Sequence, residues 1–532
     1  MAPVAAPGMT TSGRVLSVRQ SLLAMLGLCF VTMMVAVDQT VVGTALPTIV
    51  AELNGFELYA WVATSYLLTS VITVPVFGRL GDYYGRRNFV IASIVVFTGA
   101  SVLCGVSQSM LQLVMARALQ GVGGGMLVGT AFACIPDLFP DSHVRLRWQV
   151  LMSAAFGIAN AVGPSLGGFL TQYAGWRSVF FVNVPIGLLS LWFVWRHLPL
   201  IRQMKAGKIR LDWPGALLVA LALGSLQLFV ELLPAHGLGA PMLLLCLFSA
   251  VTVLALIWWE KRCPEPLLPF EMFRNPSLAA LFTLSLLVGF IMFAILFYVP
   301  LLLQGGFGLN PQDAGLLITP LVVCTTVGSI TNARIVVRIP NPNAMLYAGS
   351  LLMILSCLGI VFMHRDTVTW LIVLYMTMGG LGLGFVMPNL TVFAQETAGR
   401  SHLGIATALL QSIRMIGGML GTAIVGTLVT HYYIGGVRAA ASGNQAATWF
   451  KTLEDPQVLV NLSVQHGFLE QSQHAGLNGA VLLEAARQSL VSAVHSGVAL
   501  ALLVAIIAFA WVRRVPPVHL SRGVKASVPA GE

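Results

Sequence analysis

Gly78-Arg79-Leu80-Gly81-Asp82-Tyr83-Tyr84-Gly85-Arg86-Arg87 separates an apolar run that starts near residue 59 from another that starts at residue 88. Glycines at 78, 81 and 85 permit a tight turn and close helix approach. Asp82 is suited to accept hydrogen bonds from a neighbouring helix N-terminus, where the dipole favours an anion. Arg86 and Arg87 are suited to carboxylates or lipid phosphates. A charged, glycine-punctuated connection between two apolar runs predicts a loop at a membrane face that latches parts of a helical bundle in one state. A loop that only sets topology is the plainer alternative.

The rest of the chain agrees with a membrane setting. Of 532 residues, 57% are hydrophobic and only 9% charged, and mean hydropathy is +0.86. A soluble domain carries about 25% charge. These values exclude a soluble globular chain, a disordered one, a collagen-like repeat and a coiled coil. The fold class is an all-α polytopic membrane protein. Runs long enough to cross a bilayer, about 20 residues each, lie at 21–46, 59–77, 88–107, 110–132, 148–172, 178–197, 213–233, 241–259, 277–303, 312–333, 343–363, 368–392, 404–431 and 495–512. That predicts fourteen helices. The first twenty residues lack a cleavable signal pattern, and Arg14 and Arg19 lead directly into helix 1.

The net charge of +10 would hint at nucleic acid in a soluble protein, but here it sets topology. With the N-terminus placed in the cytoplasm, 22 of the 29 Lys and Arg fall inside and five outside. The outer five are Arg177, Arg365, Arg438, Lys451 and Arg487, while Arg117 and Arg414 lie within spans. Both termini are therefore expected in the cytoplasm, and the cytoplasmic (inner) membrane is the expected location. Most loops are short. An outer segment at 432–494 is the exception, and residues 456–490 have the pattern of one or two amphipathic helices. It is either a functional loop or a solvated spacer. Six of the 7 cysteines lie in apolar runs, with no ligand spacing, so neither a metal site nor a disulfide framework is expected.

An internal repeat divides the chain. Asn332 to Arg338, ending helix 10, is a worn basic echo of the 78–87 motif at an offset of roughly 254. Gly121, Gly123, Gly124 and Gly125 of helix 4 find echoes in Gly379, Gly380, Gly382 and Gly384 of helix 12. Gly163, Gly167 and Gly168 of helix 5 find theirs in Gly417, Gly418 and Gly421 of helix 13. The shared offset predicts two six-helix halves plus two inserted helices, 7 and 8. The expected plan is a cytoplasmic N-terminus at 1–20, an N-terminal half at 21–198, and a basic loop with the inserted helices at 199–262. A C-terminal half at 263–512 and a cytoplasmic tail at 513–532 follow. Halves related by an axis along the membrane normal are a transporter arrangement, with substrate bound between them.

The decapeptide at 78–87 resembles the signature loop of the major facilitator superfamily. Arg117-Ala118-Leu119-Gln120-Gly121-Val122-Gly123-Gly124 resembles its helix 4 motif. Gly157 with Gly163-Pro164-Ser165-Leu166-Gly167-Gly168 resembles the helix 5 motif of its proton-driven exporters. Val37-Asp38-Gln39-Thr40-Val41-Val42-Gly43-Thr44-Ala45-Leu46-Pro47 resembles the helix 1 motif of its fourteen-helix drug:proton antiporters (multidrug exporters). Trp176-Arg177, Phe180 and Asn183-Val184-Pro185-Ile186-Gly187 also fit that family. Where it commonly carries an Asn near residue 43, this chain has Gly43. The resemblance implies a proton-gradient-driven exporter without a cofactor. It implies proton coupling at Asp38 and Arg117, and a periplasmic adaptor at the outer loop 432–494.

The residues support a parallel reading of their own. A carboxylate inside a span is costly and is a functional candidate by default. Asp38 lies roughly 26 Å from the inner end of helix 1 and Arg117 about 10 Å from the outer end of helix 4, at 1.5 Å per residue. An Asp38–Arg117 interaction, direct or through Gln120 or water, is therefore feasible; a purely structural pair is the alternative. Gly157, Gly163, Gly167 and Gly168 allow close helix approach, and Pro164 frees a carbonyl and can kink the helix, which suits a gate. Plain glycine packing is the other reading. Arg414, near the midplane of helix 13 after Gln411, is suited to pair with a carboxylate (Asp38, Glu231 or Glu396), a substrate or a carbonyl, and a structural role is the alternative. Polar mid-span residues Tyr66, Gln120, Asn160, Gln411 and Arg414 are the substrate-cavity candidates, and cationic substrates are favoured if Asp38 faces the cavity.

No GxxxxGK[ST] loop, metal spacing or nucleophile constellation points to an enzyme. The expected function is a proton-coupled antiporter of hydrophobic or amphipathic drugs and toxic compounds, with small molecules, protons and the lipid bilayer as partners and no nucleic acid. Export of a lipid, siderophore or other metabolite on the same fold is one alternative. A non-transporting membrane sensor or assembly partner is another.

Overall fold

In the computed structural model the described residues are 18–84, 86–131, 134, 138, 142–199, 212–236, 239–263, 266, 271–336, 338–398, 403–440, 453–454, 457–460, 462–474 and 478–515. Their regular elements are all helical, with no strand among them. The long helices are α1 (Val18–Leu53), α2 (Tyr59–Tyr84), α3 (Arg86–Gly105), α4 (Met110–Ala131) and α5 (Ser142–Ala174). Then come α6 (Asn183–His197, after a short turn at Arg177–Phe181), α7 (Trp213–His236) and α8 (Ala240–Glu260). The last six are α9 (Pro276–Leu301), α10 (Pro311–Ile335), α11 (Asn343–Val361), α12 (Thr369–Ala398), α13 (Leu403–Ala440) and α14 (Gly479–Trp511). Among the described residues, twelve candidate spans are long and apolar enough to cross a membrane. "Outer" and "inner" below follow the charge sorting.

Local chemistry sets several boundaries. Asn275 accepts from the Ser277 and Leu278 amides at the start of α9, and Asn310 from the Asp313 amide at the start of α10. A proline follows each cap, where its missing N–H costs nothing. Gly175 and Gly308 adopt φ of 77° and 74°, a left-handed conformation that ends one helix and turns the chain into the next.

Two boundaries differ from expectation. The 78–87 motif is not a loop, because α2 runs to Tyr84 and α3 starts at Arg86. Nothing in Gly-Arg-Leu-Gly-Asp forbids a helix, which simply continues past the apolar run. Gly78 and Asp82 thus lie on the last turns of α2. Gly85, and the side chains at 78, 79 and 81–84, lie outside the described residues. Likewise α13 continues to Ala440 and α14 starts at Gly479, so much of 432–494 belongs to these two helices. A Cβ on Gly436 would meet Ser489, so the two extensions pack on each other. Between them, Gln457–Val460 packs on α1 and on the π-helical turn Leu302–Gly306 that follows α9. Leu462–His474 buries Phe468 and Ser472 while leaving Glu470, Gln471 and Gln473 exposed.

Glycines repeat one packing scheme in α1–α6 and α9–α14. A Cβ on Gly121 or Gly125 of α4 would strike the α2 backbone at Tyr66 and Ser70, and one on Gly380 or Gly384 of α12 would strike α10 at Leu321 and Thr325. Gly163 and Gly167 of α5 meet α1 at Thr40 and Thr44, and Gly417 and Gly421 of α13 meet α9 at Leu286 and Phe290. Helices eight apart thus use glycines in the same way. Helix α8 packs on α7 at the edge of the bundle, where Leu243, Leu244, Leu247 and Leu254 are exposed as a lipid-facing surface requires.

Candidate functional site

Asp38 of α1 is 1% exposed and accepts from donors on two other helices. Arg117 Nη1 of α4 donates to its Oδ2 at 2.7 Å. Gln120 Nε2, one turn on, donates to Oδ1 at 2.7 Å, and Asn183 Nδ2 of α6 donates to the same oxygen at 3.0 Å. Ser101 Oγ of α3 accepts from both amides, at 2.6 and 3.1 Å. Gln120 Oε1 accepts from Arg117 Nη1 at 2.6 Å. The guanidinium also donates from Nε to the Val62 carbonyl of α2 at 3.2 Å and lies 4.5 Å from the centre of the Tyr66 ring. Every member is buried. A paired, hydrogen-bonded charge is tolerable there, whereas either partner alone would be strongly destabilising.

The expected Asp38–Arg117 pair is therefore direct. Two cavity candidates, Tyr66 and Gln120, belong to this sealed network. Sequence reasoning missed two members, Ser101 and Asn183. Asn183 lay within the quoted family motif, so a signal existed; Ser101 is one of many small polar residues in spans and carried none. Asp38 does not face an open cavity, which removes the condition attached to a preference for cations.

Helix α5 is glycine-lined on two faces. Gly163 and Gly167 admit the Thr40 and Thr44 hydroxyls of α1. Gly157 and Gly168 admit α10 of the other set, at Thr326 and Pro311, and Gly315 of α10 lies against the Pro164 carbonyl. Ser165 and Thr319 hydroxyls bond across that seam at 2.5 Å. Asn160 is half-buried on the same helix, one turn before Gly163. At the 78–87 motif, Arg87 Nη2 donates to the Trp195 carbonyl at 2.6 Å, tying the start of α3 to the end of α6. Arg86 is half-buried beside it.

The outer ends of the two sets are joined. Tyr59 donates its hydroxyl to the Phe297 carbonyl at 2.7 Å. Gln304 is 2% exposed in a π-helical turn that continues α9, donates to the Thr44 carbonyl at 2.7 Å and accepts from the Thr48 hydroxyl at 3.2 Å. Gly43 lets α1 approach α9, because a Cβ there would sit 3.1 Å from the Leu296 carbonyl oxygen. Small size at residue 43 thus has a packing reason.

Arg414 of α13 is half-buried, and its guanidinium donates to Gln411 Oε1 one turn back. It forms no ion pair among the described residues. Asp38 and Glu396 do not reach it, and the Glu231 side chain lies outside the described residues. Asp38 is held by Arg117. Glu231 adjoins Val230, whose carbonyl accepts from Thr427, roughly 20 Å along α13 from Arg414. Glu396 is exposed and adjoins Gln395, which bonds Thr407, roughly 10 Å from Arg414.

The family model of the Major Facilitator Superfamily matches residues 28–422. The chain belongs to the major facilitator superfamily. It is accordingly a transporter rather than an enzyme. It is 32% identical to the multidrug transporter protein MdtP of Bacillus subtilis (strain 168) over 416 residues, 76% of this chain and 74% of that protein. It is 31% identical to multidrug resistance protein 3 of the same organism, over 81% of this chain and 85% of that protein. A tetracenomycin C resistance and export protein from Streptomyces glaucescens is 33% identical over 75% of this chain and 74% of its own length. Among solved structures, a bacterial homolog of the human lysosomal transporter Spinster, inward-facing and unoccupied, superposes with a TM-score of 0.66 at 17% identity. That match covers 94% of this chain and 98% of the other, and speaks for the superfamily fold alone.

Proposed function

We propose that this transporter is a proton-coupled antiporter that exports hydrophobic or amphipathic toxic compounds across the cytoplasmic membrane. The observation that carries the reading is the buried Asp38 network: one carboxylate, neutralised by one guanidinium, inside the bundle. A proton on Asp38 removes the charge that holds Arg117, so proton occupancy changes the bond between α1 and α4. Helix α1 is placed to pass that change on. Its next outward turns carry Thr40 and Thr44, seated on α5, then Thr44 and Thr48, which hold Gln304 of the other set. Loss of the Asp38 charge loosens α1 against α4 and, through Gln304, the outer seal. Re-pairing with Arg117 expels the proton and restores the seal. The names of the relatives, with multidrug and tetracenomycin C export among them, support the cargo class.

Fourteen spans with both termini in the cytoplasm are part of this reading. Helices α2 and α5, of 26 and 33 residues, are long enough to cross and complete the twelve. The motif at Gly78, Asp82, Gly85, Arg86 and Arg87 serves as the inner latch, and Gly157, Gly163, Pro164, Gly167 and Gly168 as the gating surface of α5. Gln411, Arg414 and Asn160 line the substrate path. The exposed polar face of Leu462–His474 is the surface offered to a periplasmic adaptor.

The test is proton release from purified protein in weakly buffered detergent solution on addition of cationic, neutral and anionic drugs. Release is expected from the wild type and absent in Asp38→Asn. Equal release from both would move the proton site off Asp38. No release from folded wild type with any compound would overturn the antiporter.

A further inference from the structure

Arg414 lies near the depth of Asp38 but in the opposite set. Its carbonyl lies against Gly289 of α9. Gly289 is seven residues inward of Leu296, which faces Gly43, and Asp38 is five residues inward of Gly43. At 1.5 Å per residue the two charges are roughly 11 and 8 Å inward of that contact. Both therefore lie on the inner side of the Tyr59–Gln304 seal.

The direction of the side chain follows from the helix. Gly417 and Gly421 mark the face of α13 that meets α9, and Gly426 marks a face that meets both Tyr298 of α9 and Ala60 of α2, the latter in the other set. At 3.6 residues per turn, Gln411 projects on the arc between those two faces. Arg414 is bonded to Gln411, so its guanidinium is turned toward the seam between the two sets, where substrate passes in this fold. A guanidinium has five N–H donors in a planar fork that matches a carboxylate. One bond goes to Gln411 Oε1, and no carboxylate is within ion-pair distance among the described residues. An intramembrane cation without a fixed counter-ion is costly. Asp38 and Arg117 cancel one another, so among the described residues Arg414 leaves this depth of the seam net positive.

We infer that Arg414, steadied by Gln411, is an anion subsite that receives the carboxylate or sulfonate of an amphipathic substrate. This rests on the exporter reading above and specifies its cargo as compounds with an acidic head and an apolar body. The fork binds the head in bidentate fashion, while the apolar body lies along the surrounding helices. The charge preference is the reverse of the one expected had Asp38 faced the cavity.

The test uses three fluorescent probes that share one aromatic frame: 4-(1-pyrenyl)butyrate, its methyl ester, and 4-(1-pyrenyl)butyltrimethylammonium. Binding to the full-length purified transporter is measured by equilibrium dialysis. The wild type should bind the carboxylate about tenfold more tightly than the ester, the scale of one charge-assisted hydrogen bond. Arg414→Gln should erase that difference and leave the ester and ammonium within about twofold of wild type, while Arg414→Lys keeps part of it. If Arg414→Gln does not fold, the wild-type preference and the Lys variant decide. Equal wild-type affinity for carboxylate and ester, or equal weakening of all three probes by Arg414→Gln, would overturn the subsite and leave the exporter standing. No binding of any probe to folded wild type would overturn both.

Discussion

Asp38 and Arg414 lie within roughly 3 Å of the same depth, yet their surroundings treat charge in opposite ways. In the N-terminal set the carboxylate is enclosed by Arg117, Gln120 and Asn183, and its neighbours are bonded to each other. In the C-terminal set the guanidinium has one glutamine and is half-buried. The glycine packing of the two sets is otherwise alike, with Gly163 and Gly167 answered by Gly417 and Gly421. A shared scaffold therefore does not dictate a shared charge arrangement. The first site has its charge neutralised in place, though Asn183 Oδ1 is buried there without a partner. The second keeps bonding capacity for something larger.

Substitutions can break or sharpen that contrast. The largest effect is expected from Arg117→Ala, which leaves Asp38 buried and unpaired. It should cost about 3–5 kcal/mol in unfolding free energy measured in detergent. The double variant Asp38→Asn/Arg117→Gln should lose much less, and an equal loss would mean that shape rather than charge holds the network. Asn183→Ala comes next. It removes one donor to a charged oxygen, so about 1.5–3 kcal/mol is expected, and Asn183→Ala in an Asp38→Asn background should cost clearly less. Arg414→Gln should be the mildest, within about 0.5 kcal/mol of wild type. A loss there as large as that of Arg117→Ala would show the C-terminal cation to be a structural strut and would erase the contrast.

Much of this was legible beforehand because helices impose a ruler. The depth of Asp38 and Arg117 followed from 1.5 Å per residue, and the repeat followed from glycines at one offset. Contacts between remote positions were not legible: Asn183 bonds a residue 145 positions away, and Ser101 accepts from two partners that no local pattern links to it. Helix ends were misplaced where the apolar run stops before the helix does. The last turns of α2 and the outer turns of α13 carry polar residues because they extend past the hydrocarbon, and hydropathy alone reads such turns as loop. Arg414 was legible as an odd cation, but its lack of an acidic partner among the described residues required knowing which helices neighbour it.

The span of the Asp38 network also has a consequence for biosynthesis. Arg117 follows Asp38 by 79 residues and Asn183 by 145. At about 5–20 residues per second, roughly 4–16 s of translation separate the carboxylate from its cation. During that interval α1 reaches the insertion machinery carrying an acid whose counter-charge has not yet been synthesised. A ribosome stalled between the first helix and the fourth strands a nascent chain with an unmatched charge.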